Sequence, residues 1–159
     1  MTQKKVLILF GPSASGKSNI ALKISANVKS TIINADSMQV YKNLRILTSR
    51  PSEEDEKRVE HKLYGIMDGM QNCSVVSWLE LAKEEIHICW NQNTLPILVG
   101  GTGMYLKSLI DGISEIPSIP DSIKLETEET LENKGLEYLY MTLIESSKHT
   151  VINRKDKQR

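Results

Sequence analysis

Eight consecutive residues near the N-terminus, Gly11, Pro12, Ser13, Ala14, Ser15, Gly16, Lys17 and Ser18, match the pattern GxxxxGK[ST] in full. Residue types at this spacing suit one task. Glycines let the chain turn tightly, so that successive backbone N–H groups and the positive end of a following helix converge on a diphosphate. Lys17 adds a mobile cation for phosphate oxygens, and the Ser18 hydroxyl is placed to ligate Mg²⁺. The pattern defines what is held and leaves open what is done with it. NTPases, small-molecule kinases and transferases with a diphosphate leaving group all use it.

Two other groups carry chemical interest. Asp36 and Ser37 follow the β-branched run Ser30 to Asn34 (STIIN). In an open parallel sheet functional side chains gather at the carboxyl ends of strands, so both are expected to face the phosphate loop. A carboxylate there either takes a proton or holds Mg²⁺ through water, and the residues leave both roles open. Ser37 also suits a helix N-cap. Gly100, Gly101, Thr102 and Gly103 follow the apolar run Thr94 to Val99, where many NTPases carry a metal-binding acid. That acid is missing, which argues against a motor-type NTPase and for a pocket where small residues let a substrate backbone approach. The same GGTG also reads as a plain strand-to-helix turn.

Positioning these groups requires strands that end together and helices that begin beside them. Lys4 to Phe10 is a short apolar run suited to a buried parallel strand, and Asn19 to Val28 has the spacing of a helix packed on one face. Ser30 to Asn34 predicts a second strand, Gln39 to Arg45 a turn or short helix, and Leu47 to Ser52 a loop. Ser52 to Glu60 is charged throughout and reads as an exposed helix. A loop region with a strand fragment follows from His61. Ser77 to Asn91 is amphipathic, with Trp78, Leu81, Ala82, Ile86 and Cys89 near helical spacing; a strand at Thr94 to Val99 and a helix at Met104 to Gly112 complete the series. This alternation predicts an α/β protein, a P-loop NTPase-like three-layer sandwich with a parallel sheet. From Glu115 the texture changes to a proline-bearing stretch and a charged, helix-forming segment with a break at Gly135. The expected division is therefore 1–114 and 115–159.

Composition excludes several classes. The 159 residues are 40% hydrophobic, enough for one sizeable core, and no run approaches a membrane span. The apolar stretch near the N-terminus is too short for a signal peptide and lacks a small-residue cleavage site, so a cytoplasmic setting is expected. With 20 basic and 20 acidic residues the chain has no net charge, and nothing global advertises nucleic acid. Aromatic residues make up only 5%, which disfavours a general single-strand binder, and Tyr41, Tyr64, Trp78, Trp90 and Tyr105 read as core or pocket wall. Cys73 and Cys89 match no metal spacing and read as half-buried thiols.

Taken together, GPSASGKS, NADSMQVYK and LVGGTGMYLK, with LTSRPS and HKLYG between them, resemble the tRNA dimethylallyltransferases, also called isopentenylpyrophosphate tRNA transferases. The resemblance spans Val6 to about Gly112, and INRKDKQR at 152–159 resembles the start of a further family segment. It implies transfer of a dimethylallyl group from dimethylallyl diphosphate to N6 of the adenosine adjacent to the tRNA anticodon, with Mg²⁺ as cofactor. It implies Asp36 as general base, with Lys17 and Thr102 also catalytic. Gly11 to Ser18 and Arg50 would hold the diphosphate, Arg50 standing where the family usually has lysine in a loop that also carries Thr48. Asp36, Ser37, Met38, Gln39, Thr102, Lys124, Gln158 and Arg159 would meet the tRNA anticodon stem-loop, and Ser18 the metal.

Family members are roughly twice this length and, in full-length form, expected to be monomeric. The resemblance thus implies a fold truncated at the C-terminus, with 115–159 an incomplete start of a helical tRNA-binding insertion. A sheet lacking a strand would expose apolar surface, so marginal stability or self-association is expected, with diphosphate binding surviving better than transfer. Two other readings stay open. A P-loop small-metabolite kinase would use an arginine-rich lid, and this chain has five unclustered arginines. A non-catalytic remnant would bind phosphate or RNA without turnover.

Overall fold

Ser30–Asn34 is β-branched at Thr31, Ile32 and Ile33, and it forms a strand, β2, that is buried along its whole length. The structure, a computed structural model, describes residues 4–113 and 119–146. It divides after Ile113 into two units. In the first, β2 pairs in parallel with β4 (Leu95–Gly100), β4 with β1 (Leu7–Phe10), and β2 on its other side with β3 (Glu60–Lys62), giving the order β1-β4-β2-β3. Phe10 lies opposite Gly100 and Asn34 opposite Val99. Three strands therefore end at one level. The segments that follow them, carrying the phosphate loop, Asp36 and Thr102, meet at the same edge of the sheet.

Both faces of the sheet are apolar because side chains alternate across it. Ile32, Ile97 and Val99 pack with Ala21 of α1 (Lys17–Ser25) on one side. Ile33 and Leu98 pack on the other with Trp78, Leu79, Ala82, Ile86 and Cys89 of α3 (Val75–Asn91) and with Tyr105 and Leu106 of α4 (Gly103–Asp111). The expected three-layer sandwich is the one observed.

The helices start where their caps dictate. Ser74 Oγ accepts the Ser77 N–H at 3.1 Å, which starts α3 two residues before the amphipathic run. The charged segment forms α2 (Glu53–Arg58), closed by a capping box in which Ser52 Oγ accepts the Asp55 N–H and Asp55 Oδ2 accepts the Ser52 N–H. Acids fill its first turn and Lys57 and Arg58 its last, complementing the helix dipole. Its end lies earlier than the charge pattern implies, because Glu60 pairs with Thr31 as the first residue of β3. A 3₁₀ turn at Lys42–Leu44 fills the stretch expected as a turn or short helix.

The second unit contains α5 (Asp121–Ser146), interrupted at Gly135, whose φ of 79° belongs to the left-handed region that glycine tolerates. The break stands where the sequence places it. Among the described residues no helix is long and apolar enough to cross a membrane.

Candidate functional site

The loop between β1 and α1 is shaped by two left-handed residues, Ala14 at φ 61° and Gly16 at φ 84°. Such positions turn neighbouring N–H groups toward one side and make an anion-binding concavity. Keeping a non-glycine residue there costs of order 1 kcal/mol. Within the loop, Lys17 Nζ donates to Pro12 O at 2.6 Å and lies 3.4 Å from Ser15 Oγ. The cation rests on acceptors of its own loop that substrate oxygens can replace. Gly11 sits where a Cβ would press to 3.3 Å from Ser15 Oγ, so this residue shapes the base of the loop.

On the other side, Asp36 is partly buried just past the end of β2. Asp36 Oδ1 accepts the Met38 N–H at 2.9 Å, which fixes the carboxylate's direction. Thr102, immediately before α4, accepts the Ser37 N–H on Oγ1 at 2.9 Å and donates to Ser37 Oγ at 3.3 Å. Ser37 and Thr102 thus brace the turn that carries Asp36. Between loop and carboxylate stand Gly100 and Gly101. A Cβ on Gly100 would collide with the backbone of Ala35, and one on Gly101 would lie 3.3 Å from Gly11 O and 4.0 Å from Asp36 Oδ2. Small residues here are a packing requirement that also leaves the space open.

That space is a cavity of about 670 Å³, within the size range of small-molecule sites. Ser13, Ala14, Ser15, Gly16, Lys17 and Ser18 line it, and across from them Asp36, Met38 and Gln39. Among the described residues that line it, Asp36 is the one acid and Lys17 the one base. Gly11 and Pro12 form the stem of the loop and Ser37 and Thr102 stand behind Asp36, outside the lining. Leu47, Thr48 and Ser49 close another side, held by Gln39 Nε2, which donates to Thr48 O at 2.7 Å. Sequence reasoning missed Asn19, Leu47, Ser49 and Val99 as lining residues. An apolar Leu47 in a polar loop, 81% exposed, was the available signal for one of them.

Arg50, expected as a diphosphate ligand, is not among the residues that line the cavity. Its side chain is 9% exposed and turns away from the cavity, donating through Nη1 to Tyr41 O and Lys42 O at 3.4 Å and approaching Glu56 at 3.8 Å. Its guanidinium fills the space beside Gly65 where a Cβ would stand. There the arginine braces the base of the loop that carries Leu47 to Ser49. Lys124 lies in the first turn of α5, paired with Asp121 at 2.9 Å, in the second unit. Gln158 and Arg159 lie outside the described residues.

Trp78 and Tyr105 stack at 4.4 Å in the core, and Tyr64 is buried, in line with the reading of these aromatics as core. Burial, with the Asp36 charge adding, pushes the Tyr64 phenol well above its ordinary range, so it stays protonated. His61 Nδ1 lies 2.8 Å from Val59 O on the far side of β2. Cys73 and Cys89 are free thiols, and no group of three or more His, Cys, Asp or Glu able to hold a metal occurs among the described residues.

A parallel sheet whose strand ends present a phosphate loop, a braced carboxylate and a glycine-lined gap defines an α/β protein of the P-loop NTPase-like fold. The family model for IPP transferase matches residues 39–159, and the chain belongs to that family. It is 44% identical over 142 residues to the tRNA dimethylallyltransferase of Pelagibacter ubique, covering 89% of this chain and 45% of the relative. It is 41% identical over 161 residues to that of Granulibacter bethesdensis, covering 100% and 50%. Among solved structures it is similar to the full-length tRNA isopentenylpyrophosphate transferase of Bacillus halodurans, with TM-score 0.69, 26% identity, and coverage of 98% of this chain and 52% of that one. A eukaryotic dimethylallyltransferase acting on tRNA shares the fold at TM-score 0.81 and 22% identity, with coverage of 98% and 39%. The chain thus spans about half the length of the curated relatives it matches.

Proposed function

We propose that this chain carries the donor-binding and proton-accepting site of a tRNA dimethylallyltransferase, acting in the cytoplasm on an adenosine adjacent to the anticodon. One observation carries the reading: a phosphate loop and a single oriented carboxylate face each other across one cavity with no second acid at the strand end between them. The names of the relatives support the choice of donor and acceptor.

In this reading the bond between the dimethylallyl carbon and the bridging oxygen breaks, and its electron pair leaves with diphosphate. Loop N–H groups and Lys17 stabilise the charge that develops on the diphosphate oxygens. The exocyclic N6 of adenine forms the new bond to that carbon, and its proton passes to the Asp36 carboxylate. Met38 N–H keeps one carboxylate oxygen aimed, while Met38 and Gln39 line the side on which the base would enter. Ser37 and Thr102 hold the turn from behind.

The residues present also fit Mg²⁺. Such an ion is usually held by one or two protein oxygens plus substrate phosphates, and Ser18, on the cavity wall in the first turn of α1, supplies a hydroxyl of that kind. Bound there it supplies neutralisation of diphosphate charge.

Incubation with labelled dimethylallyl diphosphate, ATP and an anticodon stem-loop, with Asp36→Ala as control, tests the proposal. Consumption of the prenyl donor and label in RNA, lost in the control, is the expected result. Turnover of ATP instead would establish a kinase, and binding of either donor without consumption would establish a non-catalytic module.

A further inference from the structure

Asn34, the last residue of β2, is fully buried beside Ile33 and Ala35, which are also buried. An amide in such a place costs several kcal/mol, about 1–3 by mutational measures, unless its polar atoms are matched. All of them are. Oδ1 accepts the Asp36 N–H at 2.8 Å, and Nδ2 donates to Asp36 O at 2.9 Å and to Leu63 O at 3.1 Å. The Asn34 main-chain carbonyl accepts Trp78 Nε1–H at 2.8 Å.

The partners of the carboxamide are the point. The ladder between β2 and β4 runs out with Ala35 N–H donating to Val99 O at 2.9 Å, so Asp36 has no strand to bond with. One side chain two residues upstream meets both its N–H and its C=O, in place of the missing strand, and the C=O also accepts the Gln39 N–H at 3.3 Å. Leu63 O ties the same amide to the segment after β3. With the main chain of residue 36 held at both polar groups, and Met38 N–H on Oδ1, the carboxylate has one direction left, toward the cavity.

We propose that Asn34 is a positioning residue, whose carboxamide fixes the Asp36 main chain so that the carboxylate faces the phosphate loop. The role rests on the reading of Asp36 as the proton acceptor. It predicts a loss in the chemical step with donor binding intact, because the loop is built from other residues.

The test compares Asn34→Ser, too short to span both Asp36 groups, with Trp78→Phe, which removes a bond to the Asn34 main chain and leaves the carboxamide in place. Each is made in the full-length chain and assayed where it is folded. For Asn34→Ser, kcat for prenyl transfer should fall about 10²-fold, the cost of roughly 1 Å of misplacement, with KM for dimethylallyl diphosphate unchanged. Trp78→Phe should keep kcat within a few-fold at equal loss of stability. A readout without substrate accompanies them. In the wild type the Met38 amide resonance should show the protection from hydrogen exchange that its bond to Asp36 Oδ1 gives, and in Asn34→Ser that protection should be lost. If Asn34→Ser does not fold, Asn34→Asp, which keeps size and acceptor but lacks the Nδ2 donor, is read the same way. Equal kcat losses scaling with stability in both variants, or a Met38 amide that stays protected without the carboxamide, would overturn the proposal. If the wild type transfers no prenyl group, the functional reading falls and the Met38 resonance alone decides the role of Asn34.

Discussion

Replacing Gly100 with alanine is the most severe single methyl addition the site offers. The new Cβ would overlap the carbonyl carbon and oxygen of Ala35, and because both are backbone atoms no rotamer change relieves the clash. Relief requires β2 and β4 to part until that contact exceeds the 3.0 Å that real Cβ atoms keep. Two hydrogen bonds lie in the way, Ala35 N–H to Val99 O at 2.9 Å and Thr102 N–H to Ala35 O at 3.3 Å. Overpacking of this kind costs about 1–3 kcal/mol, and each hydrogen bond stretched beyond use adds about 0.5–1.5 kcal/mol. A loss of about 2–6 kcal/mol is therefore expected, a fall in Tm of about 4–24 °C at about 2–4 °C per kcal/mol for a chain of this size. Urea unfolding followed by circular dichroism gives the number directly. Asp36 is next to Ala35, so donor turnover should fall as well. A Gly100→Ala protein within about 0.5 kcal/mol of wild type, the usual scatter of harmless surface changes, would refute the claim that this glycine is required by close backbone approach.

Other outcomes follow from the same geometry. Lys17→Ala should leave the fold intact and weaken diphosphate binding about 10- to 100-fold, the value of a charge-assisted hydrogen bond, as read by calorimetry. Arg50→Ala should lower Tm while leaving diphosphate affinity within about twofold, since its side chain braces main-chain carbonyls away from the cavity; a large affinity loss at unchanged Tm would establish the ligand role. At the sheet edge the Lys62 ammonium, joined by Thr31, holds the Glu60 carboxyl below its ordinary value of 4.5. A group with a depressed folded pKa stabilises above its unfolded value, so the stability difference between wild type and Glu60→Gln should be flat near neutrality and vanish as pH falls below 4.5. For a pair this open to solvent the difference stays under about 1 kcal/mol. Finally, among the described residues β1 is an edge strand, with Leu7 and Leu9 packed on one face of the sheet and Ile8 on the other, so this chain should self-associate with rising concentration in sedimentation runs. A concentration-independent monomer would count against that expectation.

Much of this arrangement was legible in the sequence where the cause is local. The phosphate loop declares itself because its glycines and lysine fall within eight consecutive residues, and β2 because STIIN carries the β-branched run Thr31, Ile32 and Ile33. Gly135 announces its break because no helix interior favours it. Long-range causes were less visible. The three polar residues of β3 carry no strand pattern of their own and owe their conformation to pairing with β2. Arg50 was expected near the diphosphate from the family resemblance of its loop, and only the path of the chain reveals the carbonyls of Tyr41 and Lys42 beneath it. Asn34 looked like the polar end of a strand. Its partners at Leu63 and Trp78 are far along the chain, and nothing in residues 30–37 alone discloses them.

The position of β4 has a further consequence. Because it is threaded between β1 and β2, the loop that follows β1 and the acid that follows β2 are separated by two strand spacings, about 10 Å. That interval is a gauge, set by main-chain hydrogen bonding and not by the length of any side chain. Substitutions on either rim can alter charge, shape or reactivity, but they inherit the same distance. A substrate whose anionic end and reacting centre are spaced differently could be accommodated only by reordering the strands, a change no point mutation makes.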